Sequence, residues 1–170
     1  MLSECGIWRL DLLILVTLGT NDKPFTRLLQ EVEKMIRLGL IHDEVIAQVG
    51  ETKFSSDKIK IIGLVSMEEM EALVSNCSLL ITHGGVGSII SGLNHNKCVI
   101  AVPRLAKYGE HVNDHQLQIV RNFNKKGYVI GVECVEELQE ALEKSRNFAP
   151  KKYQSNVDNM ISLVRYHINQ

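Results

Sequence analysis

The sequence lacks any hydrophobic run long enough to cross a bilayer. Its longest apolar stretch, residues 10–18, is interrupted by Asp11 and falls well short of the roughly 20 helical residues a span requires. No small-residue cleavage site follows it, so it reads as a buried strand and not as a secretory signal. Charge of one sign is also missing: 19 Lys and Arg face 20 Asp and Glu, for a formal net charge of -1. There is no global basic field to hold a phosphate backbone, which argues against a nucleic-acid partner. Proline is scarce, at three residues, and no low-complexity tract occurs, which excludes a disordered or linker-like chain. The four cysteines, Cys5, Cys77, Cys98 and Cys134, form no CxxC pair and no zinc-like spacing with histidine, so they read as reduced cytosolic thiols. No Asp-x-Asp pair is present, and a divalent metal held by paired carboxylates is not indicated. Two phosphate motifs are absent as well. There is no Gly-Lys-Ser/Thr of a P-loop, and a GxGxxG fingerprint would need glycine where Ile90 stands.

What remains is 170 residues, 45% apolar and 23% charged, enough for one soluble domain with a substantial core. Residues 1–11, with Trp8 and Arg9, read as a leader without an assigned role, and residues 12–170 as the domain. Residues 12–18 form a continuous apolar run of the kind buried on both faces of a parallel sheet. Phe25, Leu28, Leu29, Val32, Met35 and Ile36 recur at helical spacing up to Gly39, where a helix would stop. Strands are predicted at 44–49 and 60–65, then a helix from an N-cap at Ser66, with Glu68 and Glu69 in its first turn, to about Asn76. A strand at 79–82, a loop at 83–87, a helix at about 88–93 and a strand at 99–102 follow. The remainder reads as helix 114–124, strand 128–132, helix 135–144 and a last helix 151–166. This alternation predicts an α/β fold with a doubly wound, mostly parallel, Rossmann-like sheet, whose ligands bind beyond the carboxyl ends of the strands.

Three strand-to-helix loops stand out. Thr82-His83-Gly84-Gly85-Val86-Gly87-Ser88 joins an apolar strand to a helix, and its glycines let the backbone approach a ligand while helix N–H groups favour an anion such as a diphosphate. Without a ligand the same residues would be only a tight turn. Leu18-Gly19-Thr20-Asn21 ends the first strand, and its glycine and hydroxyl can face the same ligand from a neighbouring strand. The third loop, Lys107-Tyr108-Gly109-Glu110-His111-Val112-Asn113-Asp114-His115-Gln116, carries the mixture of carboxylate, imidazole and amide that a hydroxyl-rich ligand such as a sugar calls for. A solvated loop with a helix cap at Asn113 or Asp114 explains it equally well. His83, just before a helix, reads as structural or positioning, and His42, His95 and His167 as surface residues.

Taken together and in this order, Leu18-Gly19-Thr20, His83-Gly84-Gly85-Val86-Gly87-Ser88 and Gly109-Glu110-His111 with Asn113-Asp114-His115-Gln116 resemble the C-terminal, donor-binding domain of family 28 glycosyltransferases. Within that family the chain is most similar to the small subunits of split enzymes, those of the dolichol pathway and of bacterial capsule and exopolysaccharide synthesis. The resemblance covers roughly residues 12–142 and implies one half of a GT-B architecture. It implies that Gly19 and Thr20 face donor phosphates, that Gly84, Gly85, Val86, Gly87 and Ser88 cradle the diphosphate of a UDP-sugar, and that His115 and Gln116 contact sugar hydroxyls. Many members place a glutamate on the ribose three residues after the serine of the glycine loop. This chain has Ser91 there, a hydrogen-bonding group without the carboxylate's charge.

The implied activity is an inverting transfer from a UDP-sugar, a substrate and not a cofactor, to a lipid-linked sugar acceptor brought by a membrane-associated partner subunit. The site would then be cytoplasmic, at the inner face of the membrane. Glu110, His111 and Asp114 are the candidate general bases within this chain, and the base can equally lie in the partner. A rival reading is a non-catalytic nucleotide-binding subunit that regulates or scaffolds an enzyme. A nucleotide-sugar epimerase shares the two-domain architecture but carries both domains on one chain.

Overall fold

A computed structural model describes residues 12–153. Six parallel strands lie in the order β3-β2-β1-β4-β5-β6: β1 Leu13–Thr17, β2 Glu44–Gln48, β3 Lys60–Ile62, β4 Leu79–His83, β5 Cys98–Val102 and β6 Ile130–Gly131. Four helices connect strands, α1 Thr26–Arg37, α2 Met67–Asn76, α3 Val86–Asn94 and α4 His115–Lys125, and α5 Leu138–Ser145 follows β6. The sheet is doubly wound, as the strand–helix alternation predicts. In β1 the alternating side chains feed two cores. Ile14 and Val16 pack with Leu28, Val32 and Leu138 of α1 and α5, whereas Leu15 packs with Val74, Ile89 and Val120 of α2, α3 and α4. Such a strand has no solvent face, which is why it reads as an unbroken apolar run.

The strand order reverses between β1 and β4, since the chain builds outward from β1 through β2 and β3, then returns to lay β4 on the other side. The carboxyl ends of those two strands flank the topological switch point at which open α/β sheets bind ligands. The loops that follow β1, β4 and β5 all open there.

Local signals are largely realised. Ser66 caps α2 in a reciprocal capping box: its hydroxyl accepts from the Glu69 N–H, and the Glu69 carboxylate accepts from the Ser66 N–H at 2.8 Å. Gly39, at φ +71°, ends α1. Four differences have physical reasons or limits. The edge strand β3 stops at Ile62, three residues early, and leaves Leu64 exposed. At the opposite edge β6 is reduced to two residues paired only with β5. Helix α3 begins at Val86, two residues earlier than predicted, because the first turn of a helix needs no preceding helical carbonyls and Gly85 already supplies the first acceptor, to the Ile89 N–H at 3.2 Å. Lys151–Tyr153 are not helical, and the rest of the predicted last helix lies outside the described residues, as do the leader, Cys5 and His167.

Candidate functional site

The switch point is braced from below by side chains that have left water. The hydroxyl of Thr17, at the end of β1, donates to that of Thr82 in β4 at 2.8 Å. His83 is buried beside them, its Nδ1 lying 3.3 Å from the Thr17 carbonyl. Burial, reinforced by the charge of Arg104, pushes the imidazole down to about 4, so it is neutral near pH 7. The carbonyl contact places the proton on Nδ1 and leaves Nε2 unprotonated. His83 thus has a positioning role here. Its ring fills the space between the two glycine loops: a Cβ at Gly19, which sits at φ +74°, would lie 2.5 Å from His83 Cε1, and one at Gly85 would collide with Nε2.

The glycines of the β4–α3 turn divide into two groups. A Cβ on Gly84 would meet Gln116 Cβ at 2.8 Å and the Gln116 carbonyl at 2.9 Å, so Gly84 is what lets α4 close onto the turn. Gly85 is required by His83. Around Gly87 there is open space, with nothing within 4 Å of a Cβ position. The fold itself does not call for glycine at that position. Gly87 lies in the first turn of α3, where the N–H groups of Val86, Gly87 and Ser88 have no intrahelical acceptor and the positive end of the helix dipole faces outward. The expected diphosphate cradle is therefore mostly helix and only two residues of loop.

The β5–α4 connection is held differently. Arg104, directly after Pro103, is fully buried. Its Nη1 donates to the Lys23 carbonyl at 2.6 Å and its Nη2 to the Leu18 carbonyl at 2.8 Å, while the guanidinium lies over Phe25 with its carbon 5.0 Å from the ring centroid. Glu110 accepts from Arg27 Nε and Nη2, both at 2.9 Å, and from the Leu105 N–H at 3.0 Å. These bonds tie the connection to the loop after β1. They also engage the Glu110 carboxylate, which is buried and bidentately paired with Arg27.

The other candidates remain nearer solvent. Asp114 Oδ1 accepts from the Ala106 N–H at 2.9 Å and, although Asp114 precedes α4, makes no capping bond to it. His111 Nδ1 contacts the carbonyl and the N–H of Asn113, at 3.0 and 3.3 Å. His115 is exposed, with its N–H donating to Asn113 Oδ1. Gln116 is buried, and its Oε1 accepts from the Arg104 N–H at 3.1 Å. Thr20 is exposed at the rim beside Gly19. Ser91, one turn beyond Gly87, donates to Glu71 Oε1 of α2 at 2.9 Å. The structure thus brings the three loops to one edge and adds Arg104, Arg27 and Glu71, which carry no motif. A charged residue directly after an otherwise apolar strand was the only sequence signal for Arg104.

Among the described residues there is no group of three His, Cys, Asp or Glu that could hold a metal ion, and no helix long and apolar enough to cross a membrane. A cavity of about 260 Å³ lies at the amino ends of β1, β4 and β5, lined by Ile14, Leu40, Ile41, Leu79, Cys98 and Leu142. That is the end of the sheet opposite the glycine loops, and the reverse of where such sheets bind ligands.

The glycosyltransferase family 28 C-terminal domain matches residues 13–169. The chain belongs to that family. Two curated relatives are both called UDP-N-acetylglucosamine transferase subunit ALG13. The one from Candida albicans is 26% identical over 109 residues, 64% of this chain and 36% of the relative. The one from Eremothecium gossypii is 33% identical over 89 residues, 51% of this chain and 42% of the relative. The matched parts thus span less than half of either relative. In fold, the chain resembles a solution structure of ALG13, with TM-score 0.56 and 23% identity over 85% of this chain and 90% of that one. It also resembles a Methanocaldococcus jannaschii UDP-GlcNAc 2-epimerase solved with UDP-GlcNAc and UDP, with TM-score 0.61 and 20% identity over 92% of this chain and 46% of that one. These likenesses agree with the Rossmann-like half of a GT-B architecture.

Proposed function

We propose that this chain is the donor-binding subunit of an inverting glycosyltransferase, with a UDP-sugar held across the switch point. The observation that carries the reading is Gly87: a glycine the fold does not need, on the first turn of a helix whose free N–H groups face the crevice between β1 and β4. Its missing side chain makes room for a ligand, and the N–H array suits a diphosphate. Gly19 and Thr20 approach from the β1 side, and His115 and the amide nitrogen of Gln116 from the β5 side, where the sugar would lie. The names of the two curated relatives favour N-acetylglucosamine as that sugar.

In this reading an acceptor hydroxyl attacks the anomeric carbon, its proton passes to a general base, and UDP departs with the growing charge stabilised by the N-terminus of α3. With Glu110 committed to Arg27, His111 and Asp114 are the bases this chain can offer, and a partner can supply another. The acceptor is a lipid-linked sugar presented at the cytoplasmic face of a membrane by a membrane-associated subunit docked over the carboxyl ends of the strands. There its hydroxyl reaches the donor at roughly 3 to 3.5 Å.

The test has two stages. In calorimetry UDP binds the chain much more tightly than UMP, and equal affinity overturns the diphosphate cradle. In transfer of radiolabelled N-acetylglucosamine to membrane lipid extract, turnover appears when the membrane subunit is added and is lost in Gln116→Ala. Robust turnover by the chain alone overturns the split-enzyme reading, and binding without transfer in the presence of the partner supports a non-catalytic nucleotide-binding subunit instead.

A further inference from the structure

We infer that Glu71, carried to α3 by the neighbouring helix α2, is the carboxylate that reads the vicinal hydroxyls of the donor's ribose. The inference rests on the nucleotide site proposed above and adds a residue to it.

Gly87 and Ser91 stand four residues apart on α3. They therefore share a face, and Ser91 lies about 6 Å further along the helix axis than the N–H groups that would meet the diphosphate. The nucleoside half of the ligand extends over a comparable reach from its phosphates. At that level the Ser91 hydroxyl donates to Glu71 Oε1 at 2.9 Å, so its proton is already committed. The other carboxylate oxygen, Oε2, lies 3.4 Å from Nε2 of His95, whose Nδ1 is held 2.9 Å from the Ser91 carbonyl. Glu71 is thus oriented by the Ser91 hydroxyl of α3 while its side chain stays about half exposed.

A carboxylate has about four acceptor sites, and the Ser91 hydroxyl occupies one of them here. The sites that remain can take the two donors of a cis-diol, and carboxylate acceptance from ribose hydroxyls is a recurring solution in doubly wound nucleotide sites. Ser91 by itself offers a single hydroxyl with a single proton. Its role is to orient Glu71, and specificity for a ribonucleotide over a deoxyribonucleotide belongs to Glu71.

The experiment is calorimetry of the full chain with UDP and with 2′-deoxy-UDP. The wild-type chain binds UDP about tenfold more tightly than 2′-deoxy-UDP, the scale of one charge-assisted hydrogen bond. Glu71→Gln lowers UDP affinity about tenfold, leaves 2′-deoxy-UDP affinity unchanged and so abolishes the discrimination. Adding Ser91→Glu to Glu71→Gln puts a carboxylate back at the same level and restores it. Circular dichroism melting confirms that each variant is folded. If the wild-type chain discriminates and Glu71→Gln discriminates equally, Glu71 is only a pairing between α2 and α3 and the inference falls while the nucleotide site stands. If the wild-type chain binds neither nucleotide, the proposed function falls with it.

Discussion

The β4–α3 turn and the β5–α4 connection meet at the same edge of the sheet, yet they are built on opposite plans. In the turn, function falls to the backbone: two glycines, Gly84 and Gly85, are demanded by packing, and a third, Gly87, is left open toward the crevice. The connection is rich in polar side chains, and a large part of that polarity holds the loop in place. Arg104 and Glu110 sit inside it with the paired Arg27, and Gln116 satisfies the Arg104 N–H. A dense set of donors and acceptors in a sequence therefore points less directly to ligand contacts than a glycine that packing does not explain. A long connection that crosses the end of a sheet buries backbone polar groups, and those groups need partners before any ligand does.

The sharpest test of this contrast is Glu110→Gln. Removing the charge while keeping the shape leaves the partly buried Arg27 without its counter-ion, and breaking a buried pair this way costs up to about 3–5 kcal/mol. Denaturant unfolding should show a loss on that scale. A change below about 1 kcal/mol would return Glu110 to the list of free carboxylates and blur the distinction between the two regions.

The second test concerns His83, the residue that both glycine loops enclose. Its folded-state value of about 4 lies below the ordinary 6.5, so the neutral ring is the form the fold stabilises. The sign follows from that. The unfolded chain takes up a proton near pH 6.5 and the folded chain does not until near pH 4. The contribution is therefore complete above about pH 6.5 and is lost as the pH falls toward 4, by roughly 3 kcal/mol over that window. Stability measured against pH should fall more steeply for the wild-type chain than for His83→Asn across that window. Parallel curves would place the ring in a wetter setting than its burial indicates.

The third test compares glycines within the turn. Gly85→Val forces a side chain into His83 and should cost about 1–3 kcal/mol or more of stability. Gly87→Val meets nothing in the fold and should melt close to the wild-type chain, yet lose about a hundredfold or more in UDP affinity because the side chain occupies the crevice. If Gly87→Val binds UDP normally, the turn is not the phosphate site.

Much of this was legible in the sequence, for identifiable reasons. β1 and β4 read correctly because a strand covered on both faces must be apolar throughout, and the N-cap of α2 is written locally, in Ser66 and the acids just after it. The positions of the three strand-to-helix connections were legible because glycine and polar residues interrupt that periodicity. The burial of Glu110 was not legible. It depends on Arg27, 83 residues earlier in the chain, and on Arg104, whose partners are carbonyls of residues 18 and 23. The start of α3 was placed late because glycines count against helix, whereas in a first turn the N–H groups are unpaired in any case and glycine costs little packing. The meeting of Glu71 with Ser91 joins two helices separated by a strand, and no spacing rule connects them.

The smallest effect is the one that separates support from chemistry in the connection. Asp114 Oδ1 accepts from the Ala106 N–H, a bond that an amide oxygen can accept as well. Asp114→Asn keeps that acceptor, and because the residue is exposed, stability should stay within about 0.5 kcal/mol of the wild-type chain. An amide cannot act as a general base near neutral pH, so if Asp114 takes the acceptor's proton the same variant should lose roughly 10²- to 10⁴-fold in kcat with the partner subunit present, while UDP affinity is kept. His111→Asn, assayed in parallel, separates the two bases. Unchanged kcat in both variants would move the base to the partner, and the β5–α4 connection would then be, on this chain, a holder of loops and of sugar hydroxyls alone. A drop in kcat confined to Asp114→Asn would instead show that a region built mainly to satisfy its own polar groups keeps one carboxylate near solvent for the reaction.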